Sequence, residues 1–216
     1  MNYTSLILDM QTYMLRTDNP YVAKIPDLIE QGIIRVYNNA KDLGFEISTQ
    51  TALQANRNLL NKPSNWRETI DIQMIDGSNN IIFLLPRTYE FCKTYWPYNT
   101  TANVAKPKYY ADLVTGSNNT ANGYGGWFIS PSTDTGYTFN IKYLGIPLFN
   151  NIYQTNFLTQ RYPNLLLYSC LIEACLFLDD EEKRNKYQTM FDQELDTINR
   201  MNTSRSADRT VIRDNN

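Results

Sequence analysis

Residues Leu165 to Leu178 are apolar on nearly every side of a helix, and no other stretch constrains the fold as much. Leu165, Leu166, Leu167, Cys170, Leu171, Ile172, Ala174, Cys175, Leu176 and Phe177 leave no polar face wide enough for water. A helix of this kind is buried on most sides. The run is too short to span a bilayer and contains Glu173. Pro163 suits the first helical turn and marks the start.

Three further helices read from the same periodicity. Thr4 or Ser5 is placed to cap a short first helix, with Leu6, Ile7, Met10, Tyr13 and Met14 on one side, ended by Asp18-Asn19-Pro20. A second is predicted from Pro26, with Asp27 near the positive end of its dipole. Leu28, Ile29, Ile33, Val36, Tyr37, Ala40 and Leu43 form its stripe, and Gly44 suits a left-handed C-cap. After Leu178, the carboxylates Asp179-Asp180-Glu181-Glu182 favour the start of a last helix. Tyr187, Met190, Phe191, Leu195, Ile198 and Met201 form its single apolar stripe.

The middle third changes period. Thr69 to Ile75 alternates apolar and polar, as a half-buried strand does. Asp76-Gly77-Ser78-Asn79-Asn80 turns it into Ile81 to Leu85, a predicted hairpin partner. Phe45 to Thr51 reads as extended, Pro63 to Trp66 as a turn, and Tyr89 to Tyr95 as a short helix ended by Pro97. Further strands are predicted at Tyr109 to Val114, Trp127 to Ser130 and Tyr137 to Leu144. Residues 98–106 and 115–126 read as loops rich in Asn, Thr and Gly.

Composition closes off much chemistry. The chain has no His, which removes Ser-His-Asp and Cys-His catalysis and every His-ligated metal. Cys92, Cys170 and Cys175 form no CxxC pair for zinc. At ~100° per residue, Cys170 and Cys175 lie about 140° apart around their helix, so they read as buried free thiols rather than a pair. The opening Met1-Asn2-Tyr3-Thr4-Ser5 lacks a basic signal region, so the chain reads as cytosolic at synthesis.

The net charge is −2, which implies no general grip on nucleic acid. Charge is uneven: residues 179–196 carry three basic and seven acidic groups, and residues 197–216 carry four and two. The basic tail has no apolar pattern able to fold alone, and reads as an arm that orders on a partner. Its candidate docking residues are Arg205, Arg209, Val211, Ile212 and Arg213.

Three features were weighed as chemistry. Gly123-Tyr124-Gly125-Gly126 lacks the Lys-Ser/Thr of a phosphate loop and is followed by a strand, so it reads as a flexible loop. The four carboxylates at 179–182 point in different directions around a helix start, which fits capping better than a cation site. Glu173 would need a second carboxylate at fixed separation to cleave glycosides. The expected role is instead a buried hydrogen bond or an ion pair with a residue such as Arg161. Trp66, Trp96 and Trp127 read as core or interface anchors. No catalytic, cofactor or metal residues emerge.

The segment Asn156-Phe157-Leu158-Thr159-Gln160-Arg161-Tyr162-Pro163-Asn164-Leu165-Leu166-Leu167-Tyr168 resembles a signature of tailed-phage head-to-tail adaptor proteins. In that family an Asn-aromatic-Leu-Leu segment leads to Arg-x-Pro and an apolar helix carrying a Glu-Ala pair, here Glu173-Ala174. Leu178-Asp179-Asp180-Glu181 follows, and then an amphipathic helix with Tyr187, Phe191 and Leu195 in the expected places. Ile25-Pro26-Asp27-Leu28-Ile29, Lys106-Pro107-Lys108-Tyr109-Tyr110-Ala111, Phe128-Ile129-Ser130-Pro131-Ser132, Tyr137 to Tyr143 and Pro147-Leu148 fall in family order. The similarity covers residues 5–203. Asn156, Phe157, Leu158, Arg161, Pro163, Tyr168 and Glu173 form the candidate structural motif. The loop at 115–126 is longer than the pattern, and the tail after 203 matches none.

The resemblance implies an α+β fold. A helical bundle from residues 1–44 and 150–203 would carry an antiparallel β-rich insertion at 45–149, with an extended C-terminal arm at 204–216. It also implies a non-enzymatic virion protein: a ring, commonly of twelve copies, beneath the portal and joined to the next tail or nozzle protein. DNA would pass through the lumen without specific binding, and no membrane is involved. The alternatives are a tail ring that does not touch the portal and, from another class, a virion-borne wall hydrolase using Glu173.

Overall fold

The computed structural model describes residues 1–40, 43, 45–97, 103–113 and 125–211, with backbone alone from 201. The helices are α1 (Tyr3–Met14), α2 (Asn19–Asn39), α3 (Tyr89–Tyr95), α4 (Phe157–Arg161), α5 (Pro163–Leu178) and α6 (Glu181–Val211). The strands are β1 (Glu46–Leu53), β2 (Leu59–Asn61), β3 (Trp66–Ile75), β4 (Ile81–Phe83), β5 (Leu85–Pro86), β6 (Tyr109–Leu113), β7 (Gly126–Ser130) and β8 (Tyr137–Gly145). The fold is α+β, with the strands between N- and C-terminal helices. Two compact units result, one from Met1–Gly44 with Pro147–Asn216, the other from Phe45–Ile146.

In the helical unit α5 is the axis, packed by α1, α2, α4 and α6. Leu165, Leu166, Cys170, Leu171, Ile172 and Ala174 are all fully buried, as the all-round apolar pattern requires. Each buried Leu or Ile contributes roughly 1.5–3 kcal/mol relative to exposure. Helix α2 approaches α5 closely at Gly32, and α6 lays Tyr187, Phe191 and Ile198 on the bundle.

Several boundaries differ from the sequence reading. Asn2, not Thr4 or Ser5, caps α1: its Oδ1 accepts from the Ser5 N–H at 2.7 Å, and Ser5 returns a bond from its side chain. Ser5 is thus the third residue of a capping box. Helix α1 ends at a left-handed Leu15, before the Pro reached in sequence. Helix α2 begins at Asn19, with Pro20 in the first turn and Pro26 inside the helix. Pro20 occupies a position whose N–H would be unpaired anyway, so the start moves upstream of Pro26. Helix α2 ends at Asn39 with Ala40 as C-cap, and Gly44 lies outside the described residues.

Helix α6 continues to Val211, where an extended arm was expected from residue 204. The stretch beyond Met201 lacks a packing stripe but also lacks Gly and Pro, so nothing in it breaks the hydrogen-bond ladder.

The β unit is two stacked four-stranded sheets, ordered β1-β8-β3-β4 and β2-β7-β6-β5. All pairs are antiparallel except β5–β6, a parallel exception to the antiparallel expectation. Ile72, Met74, Phe139 and Ile141 of the first sheet meet Trp127 and Ile129 of the second in one core. The chain changes sheets at buried Leu84, so the predicted partner Ile81 to Leu85 is divided between β4 and β5. Helix α3 covers the other face of the second sheet through Cys92 against Ala111 and Phe128. Short β2 and α4 carried too few residues for a periodic signal.

Candidate functional site

The signature at 156–168 is a start device for the central helix. Asn156 Oδ1 accepts from the Thr159 N–H at 3.0 Å, and Thr159 Oγ1 accepts from the Asn156 N–H at 3.0 Å. This capping box opens α4 and buries Leu158 completely. Tyr162 then breaks the helix, and Pro163 takes the first turn of α5. Phe157 and Tyr168 are partly buried, while Arg161 is exposed in the last turn of α4.

Glu173 does not pair with Arg161. Its Oε1 accepts from Arg35 of α2, at 2.7 Å from both Nε and Nη2. Arg161 precedes α5, and Glu173 lies about 15 Å further along that helix, out of reach. The pair sits in an open cleft of about 350 Å³ lined by Gln31, Ile34, Arg35, Asn38, Asn39 and Glu173. Among the described residues that line it, the only carboxylate is already bound by a guanidinium, so they hold no pair of carboxylates for hydrolysis.

The thiols are equally withdrawn. Cys92, Cys170 and Cys175 are buried and free. Burial pushes the Cys170 thiol up to about 12 and the Cys175 thiol to about 11. At neutral pH they are protonated packing groups, not nucleophiles. No group of three or more Cys, Asp or Glu among the described residues is placed to hold a metal ion.

One polar cluster had no signal in the sequence. The Lys62 side chain is 0% exposed and pairs with Asp112. Its ammonium lies 3.4 Å from the Trp66 ring centroid and also donates to the Leu113 carbonyl at 3.2 Å. Thr69 Oγ1 accepts from the Trp127 indole at 2.8 Å and the Trp66 indole at 3.2 Å, and donates to Asp112. That hydroxyl has spent its one donor and both acceptor sites. Burial lowers the Lys62 pKa, against the opposing pull of Asp112. The cluster ties β3, β6 and β7 to the residue that follows β2.

The tail residues named from sequence divide in two. Arg205, Arg209 and Val211 belong to the helical backbone of α6, with Arg205 and Arg209 one turn apart on one face. Ile212 and Arg213 lie outside the described residues. Most of the two loops, 98–102 and 114–124, lies outside them too. From the described parts, Lys106 pairs with Asp76 at 2.8 Å, and Val104 bridges Ser132.

Several large apolar side chains lie exposed on the described surface. Ile152 is 82% exposed on a turn held by Asn150, whose Oδ1 accepts from the Ile152 and Tyr153 N–H groups. Leu15 and Phe177 are exposed on the helical unit, and Ile81 and Phe83 on the β unit. No helix among the described residues is long and apolar enough to cross a membrane.

The family model described as SU10 adaptor protein matches residues 1–213. No curated protein matches the chain.

Proposed function

The chain belongs to the SU10 adaptor protein family, and from that premise we propose that it forms a head-to-tail ring docked beneath the phage portal. It is a structural adaptor protein of a phage virion. In the proposed assembly the ring, of about twelve copies by the family resemblance, joins the portal to the next tail or nozzle protein. The genome passes through its lumen. The observation that carries this reading is the family match along nearly the whole chain, covering both helical segments and the β insertion between them.

The physical features suit such a role. A bundle built on the buried helix α5, with Cys170 and Cys175 packed inside it, suits a scaffold. A net charge of −2 gives DNA phosphates little to hold during passage. Helix α6 runs about 20 Å past Ile198 to Val211, and its backbone beyond Met201 includes Arg205 and Arg209. This last part of the helix is proposed to reach the portal.

A cryo-EM reconstruction of the portal vertex tests the proposal. Density for this chain in a ring directly below the portal supports it. Density lower in the tail would sink the portal contact, and absence of the chain from the particle would sink the whole reading.

A further inference from the structure

Among the described residues, the first sheet of the β unit ends in two unpaired edges, β1 and β4. Their backbone groups can be assigned from the register. Leu84 N–H donates to Ile72 O at 2.9 Å, and the β3–β4 register continues as Gln73↔Phe83, Met74↔Ile82 and Ile75↔Ile81. Hydrogen-bonded and non-bonded pairs alternate in an antiparallel ladder, so Ile82 is bonded to β3 while Ile81 and Phe83 aim their N–H and C=O groups outward. At the other edge Gly145 N–H donates to Phe45 O at 2.9 Å, with Glu46↔Leu144 next in register. Glu46, Ser48, Gln50 and Ala52 therefore aim their backbone groups away from β8.

These edges have only part of the usual protection: β4 is three residues long and β1 carries Glu46. Neither strand contains Pro or Lys, and β4 exposes Ile81 (58%) and Phe83 (61%). Soluble proteins normally blunt such an edge. The side chains sort consistently. Ile81 and Phe83 face away from the core, and so do Glu46, Ser48, Gln50 and Ala52, while Ile82 and Ile47 pack onto it. Residues opposite each other in an antiparallel pair share a face. A β4–β1 junction would therefore keep one copy's core face level with the next copy's.

Direction agrees as well. Three antiparallel junctions separate β1 from β4, so the two edges run oppositely. A neighbour brought alongside by a modest rotation meets β4 with an antiparallel β1. Such a contact uses two different surfaces of the same chain, which is the requirement for a ring.

We propose that β4 of one copy pairs antiparallel with β1 of the next, joining the four-stranded sheets of neighbours into one continuous sheet. The pairing rests on the ring reading above and gives that ring its subunit contact. Main-chain hydrogen bonds supply the attachment, and Ile81 and Phe83 cover the outer face of the junction.

Cross-linking in particles tests this, because the three native thiols are buried. Phe83→Cys is combined in one chain with Glu46→Cys, Ser48→Cys, Gln50→Cys or Ala52→Cys, and particles carrying each variant are oxidised with diamide. A directly opposed pair has Cα atoms about 5.5 Å apart, within disulfide reach. The expected result is a ladder of chain multiples from at least one double variant and none from the single variants. Phe83→Pro removes an outward N–H without breaking the β3 ladder, and should lose incorporation when co-expressed with the unmodified chain.

Particles that contain the ring but give no ladder with any pair overturn the proposal and leave the ring reading intact. So does a Phe83→Cys single variant that dimerises, a cross-link to a different protein, or undiminished incorporation of Phe83→Pro. Absence of the unmodified chain from particles overturns both readings.

Discussion

Gly32 of α2 and Cys170 of α5 meet so closely that a Cβ on Gly32 would lie 2.7 Å from the Cys170 sulfur and 3.0 Å from its backbone nitrogen. The glycine is there for space, since it sits inside a helix where Ala has the better propensity. Gly32→Ala should therefore destabilise the chain, by about 1–3 kcal/mol for overpacking. Denaturant unfolding checks the sign, because propensity alone would make the same change stabilising. In the Cys170→Ala background the cost should shrink without vanishing, as the nitrogen contact remains. An unchanged or raised midpoint in Gly32→Ala would mean the helices part freely.

Arg35 and Glu173 form the one ion pair seen between α2 and α5 among the described residues, and both side chains are largely buried. Removing one partner strands the other. Glu173→Gln and Arg35→Ala should each cost about 2 kcal/mol, within the range for hydrogen bonds to charged groups. A double-mutant cycle should show that the two losses do not add. A zymogram on host cell wall gives the functional control. Clearing by the unmodified chain that Glu173→Gln abolished would restore the hydrolase alternative; none is expected.

Lys62 and Asp112 should respond asymmetrically. Asp112→Ala leaves an ammonium with 0% exposed side chain without its counter-charge, costing about 3–5 kcal/mol. Lys62→Met removes the charge itself and keeps an apolar stem beside Trp66, while Asp112 retains solvent contact and Thr69. It should cost clearly less. Equal losses in urea unfolding would show that packing of the Lys stem, not charge burial, is what matters there.

How much of this was legible follows from range. Helix α5 could be read because its all-round apolar pattern is local, and β3, β7 and β8 because alternation or an apolar run is local too. The partner of Glu173 could not be read, since Arg35 is 138 residues away in sequence and only the packing of α2 on α5 brings it near. Nothing in the local sequence singles out Lys62. Its burial comes from Trp66 and Asp112, which lie on different strands. Pro26 misled because Pro usually marks a first turn, yet Pro20 already held that place. The end of α6 was misjudged because absence of an apolar stripe was taken to end the helix, while the backbone needs only the absence of breakers.

Alkali should destabilise the helical unit through its buried acidic groups. Burial holds the Cys170 thiol to about 12 from an ordinary 9.0, and the Tyr21 phenol to about 12 from 10.0. Above about pH 9 the unfolded chain loses these protons while the folded chain keeps them. Stability is then fully present below about pH 9 and falls as pH rises towards 12. Helical circular dichroism during thermal melts should show Tm dropping across that window. Cys170→Ala should flatten the drop relative to its own value at pH 7. An undiminished slope would assign the alkaline loss to other groups.

The end of α6 separates folding from docking. The sequence beyond Met201 carries no apolar stripe, so truncation there is expected to leave the bundle's core intact. Surface changes away from packing usually stay within about 0.5 kcal/mol, and the truncated chain should melt close to the full one. If this last part of the helix reaches the portal, the same truncation should prevent incorporation into particles. Arg205→Glu with Arg209→Glu should weaken it by reversing charge on one helical face. Competition with the unmodified chain during particle assembly measures both. Full incorporation of the truncated chain would refute the docking role of the arm while leaving the β4–β1 junction untouched. Loss of thermal stability on truncation would instead make the last turns part of the scaffold.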